Sequence, residues 1–155
     1  QAAGRAGRGT DPGRVVIQSY TPEHYAIQLA AEQDYDLFYE TEIRIREQIG
    51  YPPFCDILYI ILAAETEEEA LEGAGKIRQS FLRRVGKDHA VNILGPRPAP
   101  INKVDGQCRY QLLIKCSEEN WDTYSAALWK IKNKVIKEKQ KEWTLSIDVN
   151  PYGFL

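Results

Sequence analysis

The sequence predicts an α+β protein, and the order of its apolar patterns is the reason. From Cys55 onward, four segments have the short apolar runs or the strict alternation typical of strands. Two further segments carry apolar residues at the spacing of one helix face. The order is strand, helix, strand, strand, helix, strand. This βαββαβ order predicts one antiparallel sheet with two helices on one face, the ferredoxin-like split plan.

The first half of this domain is defined by one strand and one capped helix. CDILYIILAA, residues 55–64, predicts a buried strand. Thr66 and Glu69 form a capping box that opens a helix. The inner stripe of that helix is predicted to be Ala70, Ala74, Ile77, Phe81 and Val85.

The second half supplies three strands and one helix. AVNIL (90–94) and CRYQLLIKC (108–116) predict strands, and the prolines of GPRPAP (95–100) predict an irregular loop between them. Ser117 is predicted to cap the second helix, and WTLSIDV (143–149) alternates as a closing strand. The helix stripe is Trp121, Tyr124, Leu128, Ile131 and Val135.

The residues before this domain predict a strand and two helices. VVIQSY (15–20) is typical of a short buried strand, and Thr21 with Pro22 predicts a helix that runs to about Gln33. Asp34 can cap a second helix that ends at Gly50. Its stripe is Tyr35, Phe38, Glu42, Ile45 and Ile49. The stiff GYPPF segment predicts a domain boundary, so we divide the chain into residues 1–20, 21–50 and 51–155.

Composition limits the functions that the chain can have. The net charge is −2, so any binding of nucleic acid requires local basic patches. Three cysteines without a CxxC pair predict free thiols in a reducing, cytoplasmic environment and no zinc site. No window approaches eighteen apolar residues, so no membrane span is predicted. His24 and His89 lack a metal-ligand pattern, and no cofactor is expected to bind these 155 residues alone.

The first nine residues, QAAGRAGRG, have the composition of an anion-binding segment. Gly4 allows close backbone approach, and Arg5 and Arg8 lie three residues apart, so they can converge on one phosphate. Gln1 adds an amide donor. A flexible Gly-Arg terminus is the alternative that composition leaves open.

This segment resembles the sixth motif, Q-x-x-G-R-x-G-R, of superfamily-two helicases. GRVVIQSYTPEHYAI, GYPPF, ILGPRPAPI and YQLLIK then resemble the C-terminal end of the bacterial replication-restart DNA helicase family. The resemblance implies that residues 1–20 end a RecA-like motor lobe and that 21–50 are a helical connector. It also implies that Arg5 and Arg8 act as arginine fingers on ATP, contacted together with Gln1 and Gly4, only in a longer protein.

The resemblance extends to cofactors and activity. ATP, magnesium and a structural zinc are implied for the longer protein, whose activity would be ATP-driven 3′-to-5′ unwinding. The chain by itself is expected to be inactive, because phosphoryl transfer needs a P-loop, a metal and a positioned water together. One residue departs from the family pattern, since Asn150 stands where we expect a second aspartate.

A basic strand face is the predicted DNA contact. Arg109, Gln111 and Lys115 alternate with Tyr110, so they are expected to lie opposite the helices, with Arg97 and Lys103 in loops beside them. Tyr110 is expected to face the core, although a slipped register would instead let it stack on a base. The resemblance implies a ribosomal-protein-like domain that binds DNA forks and single-stranded DNA. A merely solvated strand face is the alternative.

A second basic feature is a lysine stripe on the last helix. It consists of Lys130, Lys134, Lys137 and Lys141. It is either a solvated surface, a DNA backbone contact or a docking site for an acidic partner. The resemblance implies as partners other primosome proteins and the acidic tail of single-stranded-DNA-binding protein. Trp121, Trp129 and Trp143 are predicted to be core or packing residues.

Two other functions remain open at this point. The βαββαβ order is also used by RNA-binding and ribosome-like modules, which have no helicase role, although the RRM signature is missing. A small-molecule regulatory domain is a third possibility, for which the sequence shows no ligand motif.

Overall fold

The computed structural model describes residues 15–138 and 142–152 of the chain. The chain divides into two compact units, one up to Arg44 and one from Ile45 onward, so that the division falls inside a helix. The regular elements are helices α1 (Tyr25–Glu32), α2 (Tyr35–Ile49), α3 (Glu67–Val85) and α4 (Trp121–Lys137), and strands β1 (Asp56–Ala64), β2 (Ile93–Val104), β3 (Gln107–Cys116) and β4 (Trp143–Val149). Short 3₁₀ turns at Lys87–Asn92 and Glu118–Asn120 precede β2 and α4.

The second unit is built on one four-stranded sheet. Its strand order is β2-β3-β1-β4, and the three neighbouring pairs are all antiparallel. The predicted strand–helix–strand–strand–helix–strand order is therefore observed. β1 and β3 lie in the centre of the sheet, which explains why they carry the most continuous apolar sequences.

The main hydrophobic core lies between one face of the sheet and helices α3 and α4. Alternate residues of β1 and β3 contribute to it, together with the inner faces of both helices. The predicted stripe of α3 is confirmed, because Ala70, Ala74, Ile77 and Phe81 are buried and Val85 packs against them. The stripe of α4 is confirmed in the same way by Tyr124, Leu128 and Ile131, with Trp121 and Val135 packed at its margins.

Several helix ends follow the predicted capping chemistry. Thr66 and Glu69 form the reciprocal capping box, with both hydrogen bonds at 3.2 Å. Asp34 accepts a hydrogen bond from the Leu37 amide at 2.9 Å and so caps α2. Gly50 follows α2 with φ +59°, the left-handed conformation expected after a helix.

Two predicted caps are wrong. α1 starts four residues after Thr21, and His24 is its N-cap, because the His24 ring nitrogen accepts from the Ala26 amide at 3.3 Å. Residues 21–24 form a turn instead of the first helical turn. Ser117 opens a 3₁₀ turn and makes no capping hydrogen bond to the backbone, so α4 begins only at Trp121.

The strand predicted for residues 15–20 is also wrong. The structure gives these residues no regular secondary structure, and the Val16 side chain is 85% exposed. Within the described residues no strand pairs with this apolar segment, and a single unpaired strand has no hydrogen-bonding partners that would hold it extended.

The irregular loop predicted at GPRPAP is not observed, because β2 runs through these residues from Ile93 to Val104. β2 is an edge strand, where a missing proline N–H costs no ladder hydrogen bond. Its pairing with β3 shifts register between Leu94 and Arg97 and again between Pro98 and Lys103. The prolines therefore interrupt the register without ending the strand.

Asn150 directly follows β4, has φ +49°, and connects the end of β4 to the start of β1 by hydrogen bonds. Its amide oxygen accepts from the Ile57 N–H at 2.8 Å, and its amide nitrogen donates to the Asp56 carboxylate at 2.7 Å. Asparagine at this position thus has a structural explanation. In the part of the chain that the structure describes, no helix is long and apolar enough to cross a bilayer.

Candidate nucleic-acid interface

The face of the sheet opposite α3 and α4 carries four of the five predicted DNA-binding residues, namely Arg97, Arg109, Gln111 and Lys115. We call it the open face, and it is formed by alternate residues of β1, β3 and β4 and by part of β2. Its centre is apolar, because Ile57, Tyr59 and Leu113 form a second buried cluster. Polar and charged side chains surround this cluster. The open face is therefore a packed surface with a polar border, which differs from the simple solvated face that alternation alone would give.

Arg97, Gln111 and Tyr59 form a connected polar network on the open face. Register pairs Arg97 of β2 with Gln111 of β3. In the amide orientation that satisfies all three groups, the Gln111 oxygen accepts from Arg97 Nε at 2.7 Å and from Nη2 at 3.0 Å. The Gln111 amide nitrogen then donates to the Tyr59 hydroxyl oxygen at 2.6 Å. Gln111 is 1% exposed, whereas the Arg97 side chain is exposed to solvent.

Gly95 determines the register that brings Arg97 to this position. Its φ is +98°, and a Cβ atom there would lie 2.7 Å from the Gln111 carbonyl oxygen. Only glycine tolerates both the left-handed backbone and this close approach. The register shift that follows Leu94 then places Arg97 opposite Gln111.

Arg109 is a second cation on the same face. It lies two residues before Gln111 on β3, pairs with Ala63 of β1, and is half-buried. Burial raises the pKa of the Tyr59 hydroxyl, and the nearby guanidinium groups of Arg109 and Arg97 oppose this rise. Both cations therefore act on the same buried tyrosine. Within residues 15–138 and 142–152, neither arginine forms an ion pair with a carboxylate.

Lys115 lies on the open face as predicted, but its ammonium group is used inside the fold. Its Nζ donates to the carbonyl oxygen of Ile49, the last residue of α2, and lies 4.9 Å from the centre of the Tyr51 ring. This contact uses one of the three N–H donors of the ammonium group and is itself exposed to solvent. The structure therefore gives Lys115 a contact within the fold that the sequence did not indicate.

Lys103 and Tyr110 lie on the opposite side from Arg109. Lys103 belongs to β2 and pairs with Cys108 of β3, and Cys108 pairs with Ala64 of the main core. Lys103 therefore lies on the side of the sheet that the helices cover, where it is exposed to solvent. Its predicted place in a loop beside Arg109 and Gln111 is therefore wrong. Tyr110 packs against the main core, as predicted.

The lysine stripe lies on the exposed side of α4. Lys130, Lys134 and Lys137 are exposed, and Lys134 forms an ion pair with Glu138 at 3.5 Å. Together with Trp129, these lysines line an open groove. Trp129 was predicted to be a core or packing residue, but it is 68% exposed and so does not belong to the core. Lys141 lies outside the residues that the structure describes.

The predicted nucleotide-binding residues fall outside the described ranges. They are Gln1, Gly4, Arg5 and Arg8, and the structure describes the chain only from Val15 onward. Among residues 15–138 and 142–152, no cluster of three or more histidine, cysteine or acidic residues could hold a metal ion. His89 instead bonds to the Tyr124 hydroxyl at 2.7 Å.

Sequence reasoning missed Tyr59 and Gly95 as parts of this interface. In the sequence, Tyr59 is one residue of the long apolar run of β1, and Gly95 lies in the segment predicted to be a loop. The signal that could have found Gly95 was its place directly before Pro96 and two residues before Arg97, where a bulge would set the direction of a charged side chain.

Comparison with known proteins gives one family. The family model for the primosomal protein N C-terminal domain matches residues 47–152. The replication restart protein PriA of Bacillus subtilis is 40% identical over 153 residues, which is 98% of this chain and 18% of that protein. PriA of Synechocystis is 36% identical over 74% of this chain and 14% of the relative, and PriA of Borreliella burgdorferi is 30% identical over 98% and 22%. The chain therefore spans about a fifth of the length of these relatives.

Proposed function

Because the chain belongs to the primosomal protein N C-terminal domain family, we propose that it is the C-terminal part of a replication-restart DNA helicase and binds the DNA backbone. The observation that carries the DNA-binding proposal is the pair of arginines on the open face. Arg97 and Arg109 flank one buried tyrosine, and in the described part of the chain neither is neutralised by a carboxylate. Such guanidinium groups are suited to phosphate oxygens.

The architecture that goes with this proposal has three parts. We assign the domain from residue 51 to the ferredoxin-like split plan, which the strand order β2-β3-β1-β4 with antiparallel neighbours supports. Residues 21–50 would be the helical connector, and α1 and α2 lie within them. Residues 1–20 would end the second RecA-like lobe of the motor.

The mode of DNA binding follows from the charge pattern. An isolated pair of arginines on an apolar, packed surface gives phosphate contacts and no base readout, so the domain would prefer a DNA geometry over a base sequence. Branched forks and single strands are the substrates that a restart protein would bring to this face. Lys103 lies on the side of the sheet that the helices cover, so it is not part of this contact surface. Gln111 and Lys115 each already make a hydrogen bond within the fold.

The motor activity is assigned to the longer protein. There Arg5 and Arg8, with Gln1 and Gly4, would contact ATP and stabilise charge as its γ-phosphate is transferred. ATP, magnesium and a structural zinc would be held by residues outside these 155. The present chain alone would not hydrolyse ATP.

A partner site is proposed on α4. Trp129 and Lys130, Lys134 and Lys137 line one groove, which combines an aromatic surface with a basic border. This chemistry suits the acidic, aromatic-ended tail of single-stranded-DNA-binding protein, and other primosome proteins are further candidate partners. The groove supports this proposal because its three lysines follow an exposed indole on the same helix, the last of them at Lys137.

RNA is a less favoured ligand for the open face. Sheets of this plan that read RNA stack bases on exposed aromatic side chains. Among the described residues of the open face, Tyr59 is the aromatic residue, and it is only 7% exposed. Base stacking on this surface is therefore disfavoured relative to phosphate contact.

A binding titration tests the proposed function. The chain is titrated with a labelled fork, single-stranded DNA and single-stranded RNA across a salt series, and the titration is repeated with Arg97→Ala and Arg109→Ala. We expect each variant to weaken fork binding and to lower the slope of log K against log salt by about 1, because one phosphate contact is lost.

Arg83→Ala is the matched control, because Arg83 is an exposed arginine on α3, which covers the other face of the sheet. It should leave the slope within error of the unmodified chain. Equal effects of all three variants would mean that only net charge matters, and preferential binding of RNA would favour the ribosome-like alternative.

A further inference from the structure

Gln111, like Lys115, lies on the open face but makes its hydrogen bonds within the fold. Its side chain is polar, yet it is 1% exposed and lies in the middle of a central strand. A buried amide is costly unless its oxygen and nitrogen are both hydrogen-bonded. Its presence at this position therefore calls for an explanation that an apolar residue would not supply.

The hydrogen bonds of Gln111 explain why it is an amide. Its oxygen accepts two N–H groups of Arg97, at 2.7 Å and 3.0 Å, while its nitrogen donates to Tyr59. A carboxylate would neutralise Arg97, and an aliphatic side chain would leave the guanidinium unsupported. Only a neutral group with both an acceptor and a donor can hold the cation without cancelling its charge.

The bidentate contact also determines which part of Arg97 remains available. A guanidinium has five N–H donors, and Gln111 uses the Nε donor and one donor of Nη2. The remaining donors include one on each terminal nitrogen, which together form a fork. The Gly95 bulge fixes the backbone from which this side chain extends. The Arg97 guanidinium is therefore hydrogen-bonded to the buried Gln111 amide through Nε and Nη2, while the N–H groups that point away from Gln111 can bind a ligand.

We propose that Gln111 is a positioning residue, which holds the Arg97 guanidinium so that its outer pair of N–H groups is pre-aligned for a phosphate, and that Gln111 itself does not touch the DNA. This inference rests on the proposed binding of the DNA backbone. It changes the role of Gln111 from a direct contact, as its sequence position suggested, to a support beneath the contact. Pre-alignment avoids the entropy cost of immobilising a flexible arginine when DNA binds.

Two substitutions distinguish the effect of positioning Arg97 from the effect of its charge. Gln111→Leu keeps every charge but removes the support, so we expect fork affinity to fall by about 2- to 10-fold with an unchanged salt slope. Arg97→Ala removes the charge and lowers the slope by about 1. In the Arg97→Ala background, Gln111→Leu should cause no further loss, because the residue it supports is absent.

A second measurement tests, without DNA, whether Gln111 holds the Arg97 side chain in place. Nitrogen-15 NMR of the arginine side chains reports whether the Arg97 Nε–H is protected from solvent and whether rotation of its terminal groups is slow. We expect both signatures in the unmodified chain and their loss in Gln111→Leu, while the backbone amide spectrum of the sheet stays dispersed. Gln111→Met, which keeps the volume and the unbranched shape, should behave as Gln111→Leu and guards against a packing artefact.

The outcomes are distinguishable. Failure of the unmodified chain to bind any DNA overturns the proposed function, and the NMR arm still decides whether Gln111 orders Arg97. An unchanged Arg97 signal in Gln111→Leu overturns the positioning role. So does a fall in salt slope on that substitution, or a loss that adds fully to that of Arg97→Ala.

Discussion

At the scale of single residues, the protein places several reactive or polar groups where their surroundings change their chemistry. Cys116 is the last residue of β3 and is fully buried in the main core. Burial is the main reason that the pKa of its thiol rises to about 11, and the nearby Asp56 and Cys55 add to the rise. The thiol is therefore a protonated core residue at neutral pH and has little nucleophilic character.

This raised pKa predicts a loss of stability in alkali. The unfolded chain releases the Cys116 proton near pH 9, whereas the folded chain retains it until about pH 11. The stabilisation is complete below pH 9 and is lost as the pH rises through this window, by on the order of 2 kcal/mol. Urea unfolding of the chain and of Cys116→Ala at pH 8, 9, 10 and 11 measures it.

The difference in unfolding free energy between the two proteins should narrow with rising pH, because only the unmodified chain loses the contribution of the Cys116 thiol. The cavity cost of Cys116→Ala is the same at each pH, so it does not affect this change. A difference that stays constant from pH 8 to pH 11 would show that the thiol does not titrate in this window.

The sequence predicted part of the candidate site at this scale. Alternation along β3 correctly placed Arg109, Gln111 and Lys115 on one face, because the side-chain period of a strand is fixed by its backbone. It could not show that Lys115 would contact the Ile49 carbonyl or that Arg97 would contact Gln111. Those contacts depend on tertiary neighbours and on a register shift, which local periodicity does not contain.

At the scale of secondary-structure elements, α3 shows how one helix can use glycine in two different ways. Gly73 is buried, and a Cβ atom there would lie 2.9 Å from Cγ of the Trp143 indole, so glycine allows close packing against β4. Gly75 is two residues away in the same helix, and a Cβ atom there would meet nothing within 4 Å. The two glycines are therefore a natural matched pair.

Alanine substitutions should affect these two positions in opposite directions. Gly73→Ala forces the Trp143 ring to move and should destabilise the fold by about 1–3 kcal/mol, reduced somewhat by the better helix propensity of alanine. Gly75→Ala gains that propensity without a clash and should stabilise by up to about 1 kcal/mol. Equilibrium urea denaturation of the three proteins measures both effects. Equal shifts for both variants would contradict the close packing at Gly73.

Elements with strong local sequence signals were predicted correctly, whereas elements whose structure depends on pairing with another strand were not. The capping box at Thr66 and the apolar stripes of α3 and α4 are local, and the structure confirms them. β2 was cut short because proline normally ends a strand, yet an edge position removes that penalty. The segment at 15–20 was predicted to be a strand from its apolar residues alone, although a strand also needs a partner.

At the scale of the whole molecule, the described residues of the two units contribute different amounts of buried core. Both buried clusters, centred on Phe81 and on Tyr59, are formed by residues from Ile57 onward. α1 and α2 contain no buried residues. The stability of the second unit should therefore depend on residues within that unit.

A shortened chain tests this division. A protein that begins at Asp34 keeps the cap of α2 and all of both buried clusters. We expect one cooperative thermal transition, with a midpoint within about 5 °C of that of the full chain. Circular dichroism and calorimetry measure it. A broad transition with strong binding of a hydrophobic dye would show that the first unit is needed for the core of the second.

The order of the main elements was predictable at this scale, because four apolar strand patterns and two helix patterns leave few ways to bury their apolar faces. The apolar centre of the open face was not predicted. Ile57 and Tyr59 are neighbours on one face of β1, but Leu113 belongs to β3, and only strand pairing brings it beside them.

The three tryptophans differ sharply in their environments. Trp143 is 7% exposed, Trp121 is half-buried, and Trp129 stands 68% exposed beside the lysines of α4. Most of the red-shifted, acrylamide-quenchable part of the intrinsic fluorescence should therefore come from Trp129. Binding of a ligand in the α4 groove can then be followed by the fluorescence of the unlabelled protein. The Trp129→Phe variant is the control that lacks the signal of this groove.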